Sequence, residues 1–194
     1  VMPLREENRI LVRHGLELMK QTQNVGLHAL MEVNQILPWQ DGKLGAFHIG
    51  FVLGPCLNAS GRLDSAQRAM ELLDSKTREA AVAQAAFLKQ LNDSRKEMTE
   101  EYVKIAVEMI ESGPLKDDRV LVVFLPDCHE SIAGIIAGRI RERYYRPTFV
   151  LTRGEEGVKG SARSIEGYHI YEEMTKCSSF FTKYGGHKMA AGLS

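Results

Sequence analysis

The chain has 194 residues, 44% hydrophobic and 26% charged, enough apolar material for one large core or two small ones. Lysine plus arginine equals aspartate plus glutamate at 25 each, which excludes the global positive field of proteins that grip nucleic acid by bulk charge, so an anionic partner must be met locally. Cys56, Cys128 and Cys177 lie far apart and form no Cys-x-x-Cys pair, against a disulfide framework or a zinc site, and no apolar run approaches the roughly 20 residues of a membrane span. The opening residues do not read as a signal peptide. A soluble, cytoplasmic protein is the expectation.

Residues 5 to 112 read as helical throughout. Apolar residues recur at spacings of three and four over Asn8 to Lys20 and Leu27 to Leu37, and Pro38 is expected to end the second helix. Leu44 to Leu63 is rich in glycine and apolar residues, and a short helix capped by Asp64 follows to Leu73. Thr77 is placed to cap a long helix from Arg78 to Ser112, with Ala81, Ala85, Leu88, Leu91, Met98, Tyr102, Ile105 and Met109 as its buried stripe. Gly113-Pro114 ends it.

The period then changes. Arg119 to Leu125 reads as a strand covered on both faces, followed by a helix from about Glu130 to Tyr144 and a second strand, Pro147 to Thr152, which together make a βαβ unit. Gly134 and Gly138 would let that helix lie close on the sheet. A turn over Gly154 to Gly157 leads to a third strand, Val158 to Ser164, then a helix from Tyr168 and one last glycine-rich strand. The fold class is α/β: helical residues 1–76 and a connecting helix over 77–113, then a small mixed-sheet domain over 114–194. Both ends read as cut, since Val1 precedes Met2 and Gly192-Leu193-Ser194 stops within a strand.

Three segments set anion-binding groups among small residues: Leu57-Asn58-Ala59-Ser60-Gly61-Arg62, Lys159-Gly160-Ser161-Ala162-Arg163-Ser164 and Gly185-Gly186-His187-Lys188. Glycine admits backbone N–H groups to an anion, and an arginine fork matches phosphate bidentately. Brought together, the three would hold a phosphodiester backbone. Read singly, Asn58 and Ser60 are turn formers, Arg62 is a partner for Asp64 and Arg163 is an exposed strand residue. His129 and Glu130 stand at the mouth of the βαβ helix, where open sheets bind ligands, although helix capping explains them as well. His14, His28, His48 and His169 have no partner at metal-ligand spacing.

Phe51 to Leu63, with Gly54-Pro55 and Asn58-Ala59-Ser60-Gly61-Arg62, resembles the Gly-Pro-x-Leu-Asn-Ala-x-Gly-Arg stretch of the RecJ-type single-strand-specific DNA exonucleases of the DHH phosphoesterase superfamily. Lys159 to Ser164 is similar to that family's Lys-Gly-Ser-x-Arg-Ser strand, and Tyr184 to Gly192 to its Gly-Gly-His-x-x-Ala-Ala-Gly motif, in the family's order. Cys56, Glu130 and Ser131 depart from its commoner residues. The resemblance implies a metal-dependent 5′-to-3′ exonuclease of single-stranded DNA acting in recombination and repair. Manganese or magnesium would be held by residues absent from this chain, so the chain alone is expected to be inactive. By the same resemblance His187 would donate to the scissile phosphate, beside Gly185 and Gly186. Ser161 and Arg163 would hold the 5′-phosphate end, and Asn58 and Arg62 the strand backbone. A phosphodiesterase of short oligonucleotides or cyclic dinucleotides, and a non-catalytic nucleic-acid-binding module, remain alternatives.

Overall fold

The protein, a computed structural model, is described for residues 3–37, 44–155 and 157–194. It divides into two compact units, Val1–Arg95 and Lys96–Ser194, the boundary falling inside one long helix.

The first unit is helical. Helix α1 spans Glu6–Lys20, with Glu6 and Glu7 in its first turn and Lys20 in its last, the charge order that complements a helix dipole. Helix α2, Val25–Val33, starts at Asn24, whose side chain accepts from Leu27 N–H at 2.8 Å while its amide donates to Leu73 O at 2.9 Å. It stops earlier than expected. Gln35 turns left-handed at φ 58°, and the N–H groups of Ile36 and Gln35 return to Met31 O and Glu32 O, which satisfies the last carbonyls. Pro38, the expected terminator, lies outside the described residues.

The glycine-rich stretch is helix as well. Ala46–His48 passes through a π-helical turn, Ile49–Leu53, into helix α3, Gly54–Leu63. Pro55 has no N–H and its ring crowds the carbonyl four residues back, so the helix widens, and Gly54 N–H bonds to Ile49 O instead. Asn58 and Ser60, read above as turn formers, therefore sit in helix. Asp64 closes α3 and pairs with Arg68 at 3.5 Å instead of capping helix α4, Gln67–Leu73, whose first N–H is met by Ser65 Oγ at 3.2 Å. Leu30, Met31, Leu53, Cys56, Leu72 and Leu88 are buried in this unit's core.

Helix α5, Arg78–Ser112, is started by Thr77 Oγ1, which accepts from Ala80 N–H at 3.3 Å. Ala81, Ala85 and Leu88 are buried as expected, but beyond them the buried positions are Asn92, Thr99, Ala106 and Ile110, while Ile105 and Met109 face solvent. The helical period carries inward the residue next to the more apolar one, and Asn92 is satisfied by Arg95, whose Nη2 donates to Oδ1 at 3.0 Å.

In the second unit, β1 (Leu121–Phe124), α6 (Glu130–Tyr144) and β2 (Thr148–Gly154) form the βαβ unit, with β1 and β2 parallel. Strand β3, Gly157–Arg163, returns antiparallel through a tight hairpin in which Gly157 takes φ 128°, a region that disfavours side chains. Helix α7 is Ile170–Lys176. The expected single last strand is two, β4 (Tyr184–His187) and β5 (Ala190–Leu193), and the sheet order is β1-β2-β3-β5-β4. Helix α6 buries Ile132, Ile136 and Ile140 with Leu121, Val123 and Val150 on one face, and α7 packs Ile170 and Met174 with Ala162 and Ala191 on the other. Of the two α6 glycines, only Gly134 permits a close approach; a Cβ at Gly138 would meet open space.

Candidate functional site

Side chains alternate along a strand, so Lys159, Ser161 and Arg163 share the β3 face that α6 covers. Register extends that face across the sheet: Arg163 pairs with Ala190, which pairs with His187, and Ser161 pairs with Gly192, which pairs with Gly185. Helix α6 reaches as far as β3, where a Cβ on Gly134 would lie 2.8 Å from Arg163 Nη2 and 3.4 Å from Ser161 Oγ. Beyond it the face is floored by Gly192 and Gly185, at whose Cβ positions there is only open space or a carbonyl 3.8 Å away. The result is a shallow trough roughly 10 Å across, two strand spacings, with β3 side chains on one flank and His187 on the other.

The side chains along it are held. Arg163 Nη1 donates to Ala162 O at 2.8 Å, and its Nη2 lies against Gly134 of α6, so the guanidinium is held between strand and helix. His187 Nδ1 accepts from Met189 N–H at 3.2 Å across the β4–β5 turn, which places the neutral ring's proton on Nε2 and makes that exposed nitrogen a donor. Lys159 Nζ is 2.7 Å from Glu130 Oε2, in the first turn of α6. Between them opens a cavity of about 280 Å³, lined by Glu130, Ser131, Thr152, Lys159, Ser161 and Gly192 among others. Two of its lining residues are tied down: Thr152 Oγ1 donates to Cys128 O, and Ser131 N–H donates at 3.3 Å to Nδ1 of His129, which caps α6. Burial pushes the Cys128 thiol up to about 11, so it stays neutral and packs as a small apolar group.

Ser161, Arg163, Gly185 and His187 thus come together on one face. Gly186 differs: it pairs with Ala191 on the opposite face, and a Cβ there would lie 2.4 Å from Ala190 O, which gives it a packing role in the hairpin. Asn58 and Arg62 are one turn apart and exposed on α3, in the other unit. Lys159 and Gly192 belong to the motifs above, where no role fell to them; counting back in twos from Arg163 through Ser161 reaches Lys159, so the strand period could have found it. Among the described residues no group of three or more His, Cys, Asp and Glu side chains could hold a metal ion. The trough, built from cationic and hydroxyl donors, is suited to an anion rather than a cation.

Residues 117–194 match the DHHA1 domain family. Over its whole length the chain is similar to the single-stranded-DNA-specific exonuclease RecJ of Bacillus subtilis (strain 168), 37% identical over 199 residues that make up 24% of that protein. Among solved structures, RecJ from Thermus thermophilus in complex with Mg2+ superposes with a TM-score of 0.85 at 31% identity, over 100% of this chain and 29% of the other. The same protein in complex with Mn2+ gives 0.83 at 30% identity, over 100% and 28%. The chain therefore spans about a quarter of the length of the curated relative, 24%.

Proposed function

Because the chain belongs with the RecJ-type proteins and carries a DHHA1 domain at residues 117–194, we propose that it is the strand-gripping part of a 5′-to-3′ exonuclease of single-stranded DNA. Recombination and repair are the setting for such an activity. In this reading residues 1–76 lead out of a catalytic domain, residues 77–113 connect, and residues 114–194 bind substrate. In this reading the divalent ion, magnesium or manganese, is held by residues of the intact enzyme outside this chain. Bound there, it would activate water and neutralise the scissile phosphate.

One observation carries the proposal: Ser161, Arg163 and His187 share a sheet face whose floor is made of the small residues Gly185, Gly192 and Ala190. Arg163 offers a phosphate two parallel donors and Ser161 a hydroxyl, a set matched to the terminal phosphate of the strand. His187 presents Nε2–H to phosphate oxygens across the floor and stabilises charge as it develops in the transition state. The glycines let the sugar–phosphate chain lie flat against the backbone. Asn58 and Arg62 hold further backbone positions. All these contacts are to phosphate and sugar, so binding weakens as salt rises and discriminates little between sequences.

Gly185 supplies the test. A Cβ there would meet no atom within 4 Å and valine adds its bulk on that open side, so Gly185→Val in the full-length enzyme is expected to leave the thermal transition within a few degrees while turnover of long single strands falls by about two orders of magnitude. Wild-type turnover by a folded Gly185→Val enzyme would mean that the strand does not run over this floor.

A further inference from the structure

Lys159 belongs to the same strand face as Ser161 and Arg163, two and four residues before them, and its ammonium stands over the cavity that Ser161 also lines. It meets the Glu130 carboxylate at 2.7 Å, and both side chains are close to half exposed, at 44% and 48%, so either can swing without disturbing the core. A carboxylate oxygen there occupies the place where a phosphate oxygen would meet the same ammonium. An exposed pair of this kind is weak, worth about 1 kcal/mol or less, and a dianionic phosphate already held by Arg163 and Ser161 would outcompete it.

We infer that Lys159 is a further phosphate-positioning residue and that Glu130 is its internal placeholder, an anion that keeps Lys159 aimed at the cavity and yields it to the 5′-terminal phosphate of the strand. The assignment rests on the reading of the trough as the strand site. Displacing Glu130 costs a free phosphate and a strand terminus alike. The terminus offsets that cost with contacts along the rest of the strand, whereas free phosphate has only the groups of the trough, so the carboxylate keeps occupancy by the free anion low. When the phosphate arrives, Lys159 Nζ exchanges Glu130 Oε2 for a phosphate oxygen, and Glu130 turns to solvent beside Ser131.

The test uses the full-length enzyme and three probes: 5′-phosphorylated and 5′-hydroxyl strands of one sequence, and inorganic phosphate as competitor. Glu130→Gln is expected to tighten inorganic phosphate about threefold. Lys159→Gln is expected to cut the preference for the 5′-phosphorylated strand by about threefold and to reduce the slope of log affinity against log salt by about 0.7 for that strand only, with Lys159→Arg restoring both. Arg163→Ala is measured alongside. If Arg163→Ala removes the 5′-phosphate preference while the Glu130 and Lys159 variants leave preference, slope and phosphate competition unchanged, the placeholder is overturned and the trough stands. If Arg163→Ala also leaves the preference intact, the trough reading itself falls and the placeholder with it.

Discussion

In the full-length enzyme, His187→Ala is expected to lower kcat on single-stranded DNA by about two to three orders of magnitude and to leave KM within a few fold. The expectation follows from the ring's geometry. Because Nδ1 is committed to Met189 N–H at 3.2 Å, the neutral ring is fixed in the tautomer whose Nε2 donates, and its orientation needs no reorganisation when charge builds on a phosphate oxygen. A donor that strengthens only as charge develops acts on kcat rather than on ground-state affinity. His187→Asn, which keeps a short side chain with an amide donor, should recover part of the loss. A mutant that instead raised KM with kcat unchanged would make His187 a ground-state contact only.

The largest stability effect is expected at Gly26→Ala. In an exposed helix interior this exchange normally stabilises by up to about 1 kcal/mol, since alanine is the better helix former. Here the sign reverses. A Cβ on Gly26 would stand 2.0 Å from Leu72 O and 2.7 Å from Leu72 C, both backbone atoms, so α2 and the end of α4 must separate. Separation also strains the bond from the Asn24 amide to Leu73 O and opens the core around Leu30 and Leu72. Overpacking of this severity costs about 3 kcal/mol or more, and Gly26→Leu should cost still more. Denaturant unfolding followed by circular dichroism measures it; an unchanged or higher midpoint for Gly26→Ala would contradict the close packing of these helices.

Helices with a clean three-and-four spacing were legible, and α5 runs over the residues its lack of Pro and Gly marked, Arg78–Ser112. Its buried stripe was legible in part: Ala81, Ala85 and Leu88 are buried, and Leu91, Met98 and Tyr102 are half-buried against the cores. Ile105 and Met109 face solvent, and the fully buried positions beyond Leu88 are Asn92, Thr99, Ala106 and Ile110, with Arg95 meeting the Asn92 side chain. The chain stays helical through Gly54-Pro55, as residues 5 to 112 were read, but it does so by widening to a π turn, a detail the sequence reading did not contain. The β4–β5 hairpin was hidden as well. Gly185-Gly186 draws the turn to itself on composition, but the turn lies at Lys188–Met189, where the imidazole of His187 supplies the acceptor that the backbone lacks. The site was readable as three motifs, and the second unit brings two of them onto one sheet face. The flank made by Lys159 and the floor made by Gly192 needed the strand register, which composition does not carry.

The central claim, that the face carrying Ser161, Arg163 and His187 holds the phosphate end of an unpaired strand, is tested most directly by Arg163→Ala in the full-length enzyme. Turnover is compared on 5′-phosphorylated and 5′-hydroxyl strands of the same length. The expected result is a loss of about tenfold or more on the phosphorylated strand with little change on the hydroxyl strand, because the bidentate contact exists only where the terminal phosphate is present. An equal loss on both strands, or none on either, would contradict it.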